Sequence, residues 1–249
     1  MYTIDEIISG FHPISLDQMD EVKLMDRMDQ KYVFHSSGLP EIIGSMKQDY
    51  FVFEINDTRN CGYETQYLDT PDRRMYTLHQ NGRLNRHKIR YRKYCESNIE
   101  FFEIKFKSNK GRTVKNRIKL KENAPAMERM KEQLLSQFSP YTLSMLCPAL
   151  DVSFKRITLV NKNLTDRLTL DTDLKFRIRE QEYKTPGLVI AEIKQGRSKK
   201  SSFTLVMHAH HINPFPVSKY CLGISLLERD VKKNNYKMKV LGIQKIIKK

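Results

Sequence analysis

Lysine and arginine recur at every second position in several stretches of this chain, and cations spaced in that way can hold a polyanion such as a chain of phosphates. The stretches are Lys88-Ile89-Arg90-Tyr91-Arg92, Phe102-Glu103-Ile104-Lys105-Phe106-Lys107, Lys115-Asn116-Arg117-Ile118-Lys119, Lys175-Phe176-Arg177-Ile178-Arg179 and Val189-Ile190-Ala191-Glu192-Ile193-Lys194. Arg27, Asp29 and Lys31 repeat the spacing near the start. Alternation of ionisable and apolar side chains is the period of a strand with two unlike faces. Two arrangements satisfy it. The charged faces can look into water and keep a sheet soluble, or the sheet can curl so that they line a basic channel beneath a jacket of helices. Like charges packed together repel by about 1 kcal/mol per close pair even in high dielectric, so the second arrangement suits only a multiply charged anion.

The chain has 249 residues, with 44 Lys and Arg against 29 Asp and Glu and a net charge of +15. Such a charge attracts nucleic acid, an acidic membrane surface or phosphate compounds. Nucleic acid is the weakest of these: no helix-turn-helix, zinc-finger or aromatic stacking motif is present, and the cations sit at alternate strand positions rather than on exposed helices. No apolar run approaches the roughly twenty residues of a membrane span. Met1 to Glu6 lacks the basic start and apolar stretch of a secretory leader, so a cytoplasmic location is expected. Cys61, Cys95, Cys147 and Cys221 lie far apart without CxxC spacing and read as reduced thiols rather than a zinc site or disulfide framework. Length and the absence of linkers or repeats point to one domain over residues 1–249.

Positioning those cations requires a particular run of elements. The patterns predict a helix capped by Ser15 and ending near Asp26, a strand from Arg27 to Phe34, a short helix from Leu39 to Met46, and strands from Tyr50 to Glu54 and Tyr63 to Leu68. A helix from Asp72 to Gln80 follows, capped by Asp69 or Thr70. Three antiparallel strands fill Leu84 to Lys119, the last turn being Ser108 to Gly111. Helices at Pro125 to Phe138 and Tyr141 to Leu146 precede strands at Asp151–Val160, Arg167–Asp171, Leu174–Glu180 and Leu188–Lys194. Ser201 and Ser202 cap a helix through His210, Ser218 to Leu227 makes another, and Lys237 to Lys249 reads as a surface helix. The strand total is about eight to ten.

Six short motifs then occur in an order that resembles the VTC (vacuolar transporter chaperone) domain: Arg27-Met28-Asp29-Gln30-Lys31-Tyr32, Tyr67-Leu68-Asp69-Thr70, Ile89-Arg90-Tyr91-Arg92-Lys93-Tyr94, Phe102-Glu103-Ile104-Lys105, Ala191-Glu192-Ile193-Lys194 and Ser218-Lys219-Tyr220. The resemblance runs from Arg27 to about Leu226. It places the chain with the triphosphate tunnel metalloenzymes, the CYTH superfamily, and implies an α+β fold: a closed antiparallel β-barrel of about eight strands forming a basic tunnel, with helices packed outside. The implied activity is polyphosphate polymerase, which moves the terminal phosphoryl group of ATP or another nucleoside triphosphate onto inorganic polyphosphate, or onto orthophosphate at initiation. Carried over by residue, the phosphate ligands are Lys31, Arg90, Arg92, Lys105, Lys115, Arg156, Lys194 and Lys219. Ser218 adds a hydroxyl, and Glu192 holds Mn or Mg. Arg27, Arg117 and Arg177, on the charged faces of their strands, join the substrate-binding set.

The resemblance implies Glu103 as a structural partner for a neighbouring cation. The chain departs from the pattern at Phe154-Lys155-Arg156, where the family commonly has Tyr-x-Arg, and at Asp29, where many tunnel enzymes carry glutamate. Two other functions share the same lining: a tunnel-type triphosphatase with water as acceptor, and a polyphosphate-binding module without catalysis. Whether a membrane partner receives a polymer is left open. His208, His210 and His211 read as structural or surface residues despite their metal-like spacing. His79, in the helix before the basic strands, reads first as a structural residue, with reach of the tunnel mouth as the lesser reading, and Asp171 with Asp173 stands either as a second carboxylate pair for metal or as strand-end residues.

Overall fold

The computed structural model describes residues 3–20, 27–121, 124–196 and 201–248. Its strands are β1 (Pro13–Ile14), β2 (Arg27–His35), β3 (Tyr50–Phe53), β4 (Asn60–Asp69), β5 (Arg86–Tyr94), β6 (Ile99–Lys107), β7 (Thr113–Lys119), β8 (Cys147–Asn161), β9 (Asp166–Ile178), β10 (Gln181–Lys184) and β11 (Leu188–Gly196). Its helices are α1 (Ile4–Ser9), α2 (Leu16–Asp20), α3 (Leu39–Gly44), α4 (Arg74–Gln80), α5 (Ala124–Phe138), α6 (Ser202–Ala209), α7 (Lys219–Leu227) and α8 (Asn234–Ile247). Three of the expected caps are in place: Ser15 Oγ accepts from Gln18 N at 3.4 Å, and Ser201 and Ser218 head α6 and α7. At α4 the cap position is Arg73, which makes no side-chain cap bond, and Asp69 instead reaches in from upstream to accept from the N–H groups of Met75 and Tyr76 at 2.9 Å. The part of the first expected helix between residues 21 and 26 lies outside the described residues.

Eight strands form one continuous ladder in the order β2, β11, β9, β8, β4, β5, β6, β7, every pairing antiparallel. The fold is therefore α+β with a large antiparallel sheet, but the expected closed barrel is not formed. Among the described residues no ladder joins β7 to β2. The outer edge of β2 is taken instead by the chain before α7: Tyr32 bridges Pro214, and Phe215 N donates to Lys31 O at 2.6 Å. Two further expectations change. The strands foreseen at Arg167–Asp171 and Leu174–Glu180 are one strand, β9, bulged where its register with β8 shifts between Ser153 and Lys155 and where Asp173 takes φ 52°. Tyr141 to Leu146 supplies only a 3-10 turn at Leu143–Met145, and the short β1 and β10 were not foreseen.

Burial decides which way each strand faces. On the outer side Tyr32, Phe34, Leu168, Leu170, Val189, Ala191 and Ile193 pack beneath α1, α3 and α6, and Ile89, Phe102 and Ile104 pack against Leu135 of α5 and Met75 of α4. Each such large side chain contributes about 1.5–3 kcal/mol when fully buried, which commits its strand neighbours to the opposite, inner side. The inner side is not lined by cations alone, and not every helix is outside. Val33, Tyr63, Tyr67, Phe154 and Ile190 form a second apolar core there with Tyr220, Leu222 and Ile224 of α7. Gly223 lets α7 approach this closely, since a Cβ at that position would lie 2.5 Å from Leu150 Cδ2 and 2.7 Å from Phe176 Cδ1. Among the described residues no helix is long and apolar enough to cross a membrane.

Candidate functional site

The inner faces of β5, β6 and β7 set Lys88, Lys105 and Lys115 abreast, because Lys88 pairs with Lys105 and Lys105 with Lys115 in the ladder. One step along, Arg90 stands opposite Glu103, whose carboxylate is fully buried. Arg90 Nε and Nη2 donate to Glu103 Oε2 at 2.8 and 2.5 Å, while Lys115 ion-pairs with Oε1. Arg92 donates to Thr65 Oγ1 at 3.3 Å. Glu103 is thus the structural counterion expected of it.

The second wall comes from β8, β9, β11, β2 and α7. Arg156 forks onto Asp171, Nε to Oδ1 at 2.5 Å and Nη2 to Oδ2 at 2.8 Å, and Lys219 pairs with the same carboxylate. Lys31 Nζ lies 2.7 Å from Glu192 Oε2, and Lys194 Nζ lies 3.9 Å from Oε1. Ser218 joins the two walls. As the cap of α7 its Oγ accepts from Cys221 N at 3.4 Å and from Lys88 Nζ at 3.1 Å.

These cations are held at electrostatic cost. Burial, then Arg90 and Arg156, pushes the Arg92 guanidinium down to about 10. Lys105 is forced well below its ordinary value by Arg90, then by burial and Arg92. Burial takes Lys115 down to about 8 against the pull of Glu103. The acids move the other way. Burial alone would raise Glu103 and Asp171, but Arg90 with Arg92 and Arg156 with Lys219 outweigh it and hold both near 2. Glu192 is likewise held well below the usual carboxylate range, where Lys31 and Lys194 outweigh its burial. A face of depressed lysines around shared carboxylates gains energy when a polyanion arrives.

The candidates do not all converge here. Lys31, Arg90, Arg92, Lys105, Lys115, Arg156, Lys194, Lys219, Ser218 and Glu192 share this face; Arg117 flanks it, its guanidinium 4.3 Å from the centroid of Phe101. Arg177 does not join them. The bulge in β9 reverses the alternation beyond Asp173, so Arg177 turns to the outer side, is 61% exposed, and pairs with Asp151 at 3.1 Å beside a separate cleft of about 760 Å³. The side chain of Arg27 lies outside the described residues, although its backbone pairs with Gly196. Asp171 serves as counterion, and Asp173 is exposed at the bulge, so they do not form a metal pair. His210 lies 4.0 Å from Glu41 and the neighbouring His208 and His211 are exposed. Among the described residues no three His, Cys, Asp or Glu side chains gather as a metal cage.

Lys88 and Tyr67 are not among the expected ligands. Lys88 had a signal, since it precedes Arg90 by two on the same alternating strand. Tyr67 stands in one of the family motifs, but its place beside Arg90 depends on the pairing of β4 with β5. Burial would raise its phenol, yet Arg90 and Arg92, with Lys88 and Lys219, hold it below its ordinary value. Phe154, where a tyrosine was the family norm, has Lys219 Nζ at 4.5 Å and the Arg156 guanidinium at 5.2 Å over its ring, so it packs under the cations in place of a hydroxyl contact.

His79 lies behind this face in the last turn of α4, its Nδ1 buried without a hydrogen-bond partner. Burial, with Lys88, Arg86, Lys239 and Lys107 nearby, drops it from 6.5 to about 2. Its folded value lies below its unfolded one, so the unfolded chain takes up the proton first as pH falls. The stability that neutral His79 supports is complete above pH 6.5 and is lost progressively from there towards pH 2. Urea midpoints between pH 7.5 and 5 are expected to fall, with a slope of up to about 1.4 kcal/mol per pH unit from this one proton, and His79→Asn is expected to flatten that slope. An unchanged slope in the variant would remove His79 as its source.

The VTC domain matches residues 26–228 of this chain. No curated protein matches it. Among solved structures the chain is similar to a candidate adenylate cyclase from Vibrio parahaemolyticus, at 12% identity and TM-score 0.47, covering 79% of this chain and 97% of that one. It is also similar to a candidate adenylyl cyclase from Hippeastrum with a dominant triphosphatase activity, at 10% identity and TM-score 0.48, covering 83% and 98%. A Pyrococcus horikoshii protein is similar at 14% identity and TM-score 0.42, covering 81% and 100%.

Proposed function

Because the chain belongs to the VTC domain family, its match spanning residues 26–228, we propose that it is a metal-dependent polyphosphate polymerase, passing the terminal phosphoryl group of ATP to a growing polyphosphate chain in the cytoplasm. The observation that carries this reading is the inner face itself, where Lys88, Arg90, Arg92, Lys105, Lys115, Arg156 and Lys219 come together from five elements, Arg90 and Lys115 paired with Glu103 and Arg156 and Lys219 with Asp171. Phosphoryl transfer asks of a protein chiefly alignment of donor and acceptor and cancellation of charge. Arginines supply fixed planar contacts and lysines movable point charges, which lets a polymer shift register as it grows.

The donor set suits Mn or Mg at Glu192. Both oxygens of Asp171 are taken by Arg156 and Lys219, and both of Glu103 by Arg90 and Lys115, whereas Glu192 pairs closely with Lys31 through Oε2 and Lys194 stands 3.9 Å from Oε1, longer than a hydrogen bond. One carboxylate would suffice for such an ion, since phosphate oxygens and water could complete its shell, and Glu192 would then hold a Lewis acid beside the phosphates. Lys31 orients Glu192 from the adjacent strand, and Arg90, Arg92, Lys105 and Lys115 hold the phosphates opposite. The nucleophile is the polyphosphate end, or orthophosphate at initiation, so no serine or histidine triad is required.

Incubation with ATP and Mn²⁺, followed by gel analysis, tests the assignment. A polyanion ladder that exopolyphosphatase removes is expected. Orthophosphate alone would make the protein a triphosphatase, and phosphate-chain binding without either product would make it a binding module.

A further inference from the structure

The inner face changes character along its length. Beyond the lysine row, four residues back along β6 from Lys105, it carries Phe101, which pairs with Arg92 on one side and Lys119 on the other. Phe101 is half-buried. Tyr94 meets it edge-on, with centroids 5.8 Å apart and planes at 82°, and the guanidinium of the exposed Arg117 lies 4.3 Å from its centroid. An arginine laid over a braced ring presents a flat π-surface, which phosphates have no use for and planar heterocycles stack on.

Building on the phosphate-chain reading above, we infer that Phe101 and Arg117 form the platform for the base of a nucleoside triphosphate, with the sugar beside Lys119 and the phosphates running along β6 towards Lys105. Phe101 and Lys105 are separated by about 13 Å of strand, the reach of a ribose and its triphosphate. The donor is thereby a nucleotide rather than inorganic triphosphate, and its terminal phosphate points to the Lys88, Lys105 and Lys115 end. Stacking reads any base, so adenine and guanine nucleotides are accepted alike.

Calorimetric binding of ATP and of inorganic triphosphate, without metal so that neither turns over, separates the contributions. In Phe101→Leu ATP is expected to bind about tenfold more weakly while inorganic triphosphate is held as before, and in Arg117→Lys, which keeps the charge but loses the plane, the loss for ATP is expected to exceed that for inorganic triphosphate by about the same factor. Retained triphosphate binding also reports that the variants are folded, and the exposed Arg117→Lys carries the test if Phe101→Leu does not fold. Equal loss for both ligands, or unchanged ATP binding, overturns the platform. Failure of the unaltered protein to bind either ligand overturns the phosphate-chain reading itself.

Discussion

Glu103→Gln is expected to lower the free energy of unfolding by about 3–5 kcal/mol, the range seen when one member of a buried ion pair is removed. Glu103 has no exposed side-chain surface and neutralises Arg90, itself only 6% exposed, together with Lys115. Glutamine keeps the shape but strands those cations beside Arg92 and Lys105, which already press on one another. The loss should be read from urea unfolding. It should also be reversible by ligand: inorganic triphosphate at a hundred times its dissociation constant returns about 2.7 kcal/mol to any protein that binds it only when folded. A drop below about 1 kcal/mol, the worth of an exposed pair, or no recovery with triphosphate, would mean that these cations are solvated and do not form an anion site.

The second large effect concerns turnover. Glu192→Gln is expected to slow metal-dependent phosphoryl transfer at least about a hundredfold, since loss of one group that organises transition-state charge typically costs that much. Binding of inorganic triphosphate without metal should stay the same or tighten, because the substitution removes a negative charge beside Lys31 and Lys194. The two measurements have to part company. If triphosphate binding falls in step with turnover, Glu192 is simply the counterion that holds Lys31 in place, and the metal belongs elsewhere.

Much of the fold could be read before any coordinates, wherever the signal was local. The alternation at Lys88–Arg92 and Phe102–Lys107 identifies both strands and their charged faces, and Ser201 and Ser218 mark helix starts because a cap needs only its own next turn. The order of motifs identified the family. Arg177 shows where such reading stops. Its strand looks like the others, but a bulge at Asp173 reverses the alternation, and a bulge depends on how β8 and β9 are matched.

Closure of the sheet and the place of α7 lie beyond local pattern for the same reason. Nothing in the residues of β2 says that Pro214 and Phe215, far along the chain, will occupy its outer edge and leave the ladder open. Nor does the apolar run Tyr220–Ile224 say that it will enter the inner side and carry Ser218 and Lys219 onto the cation face. The amino-acid sequence alone determined which strands carry alternating cations and which family the chain belongs to. The tertiary structure alone decided which of them meet, because pairing, bulges and competition for a free edge are set between segments distant in the chain, where period-two patterning carries no information.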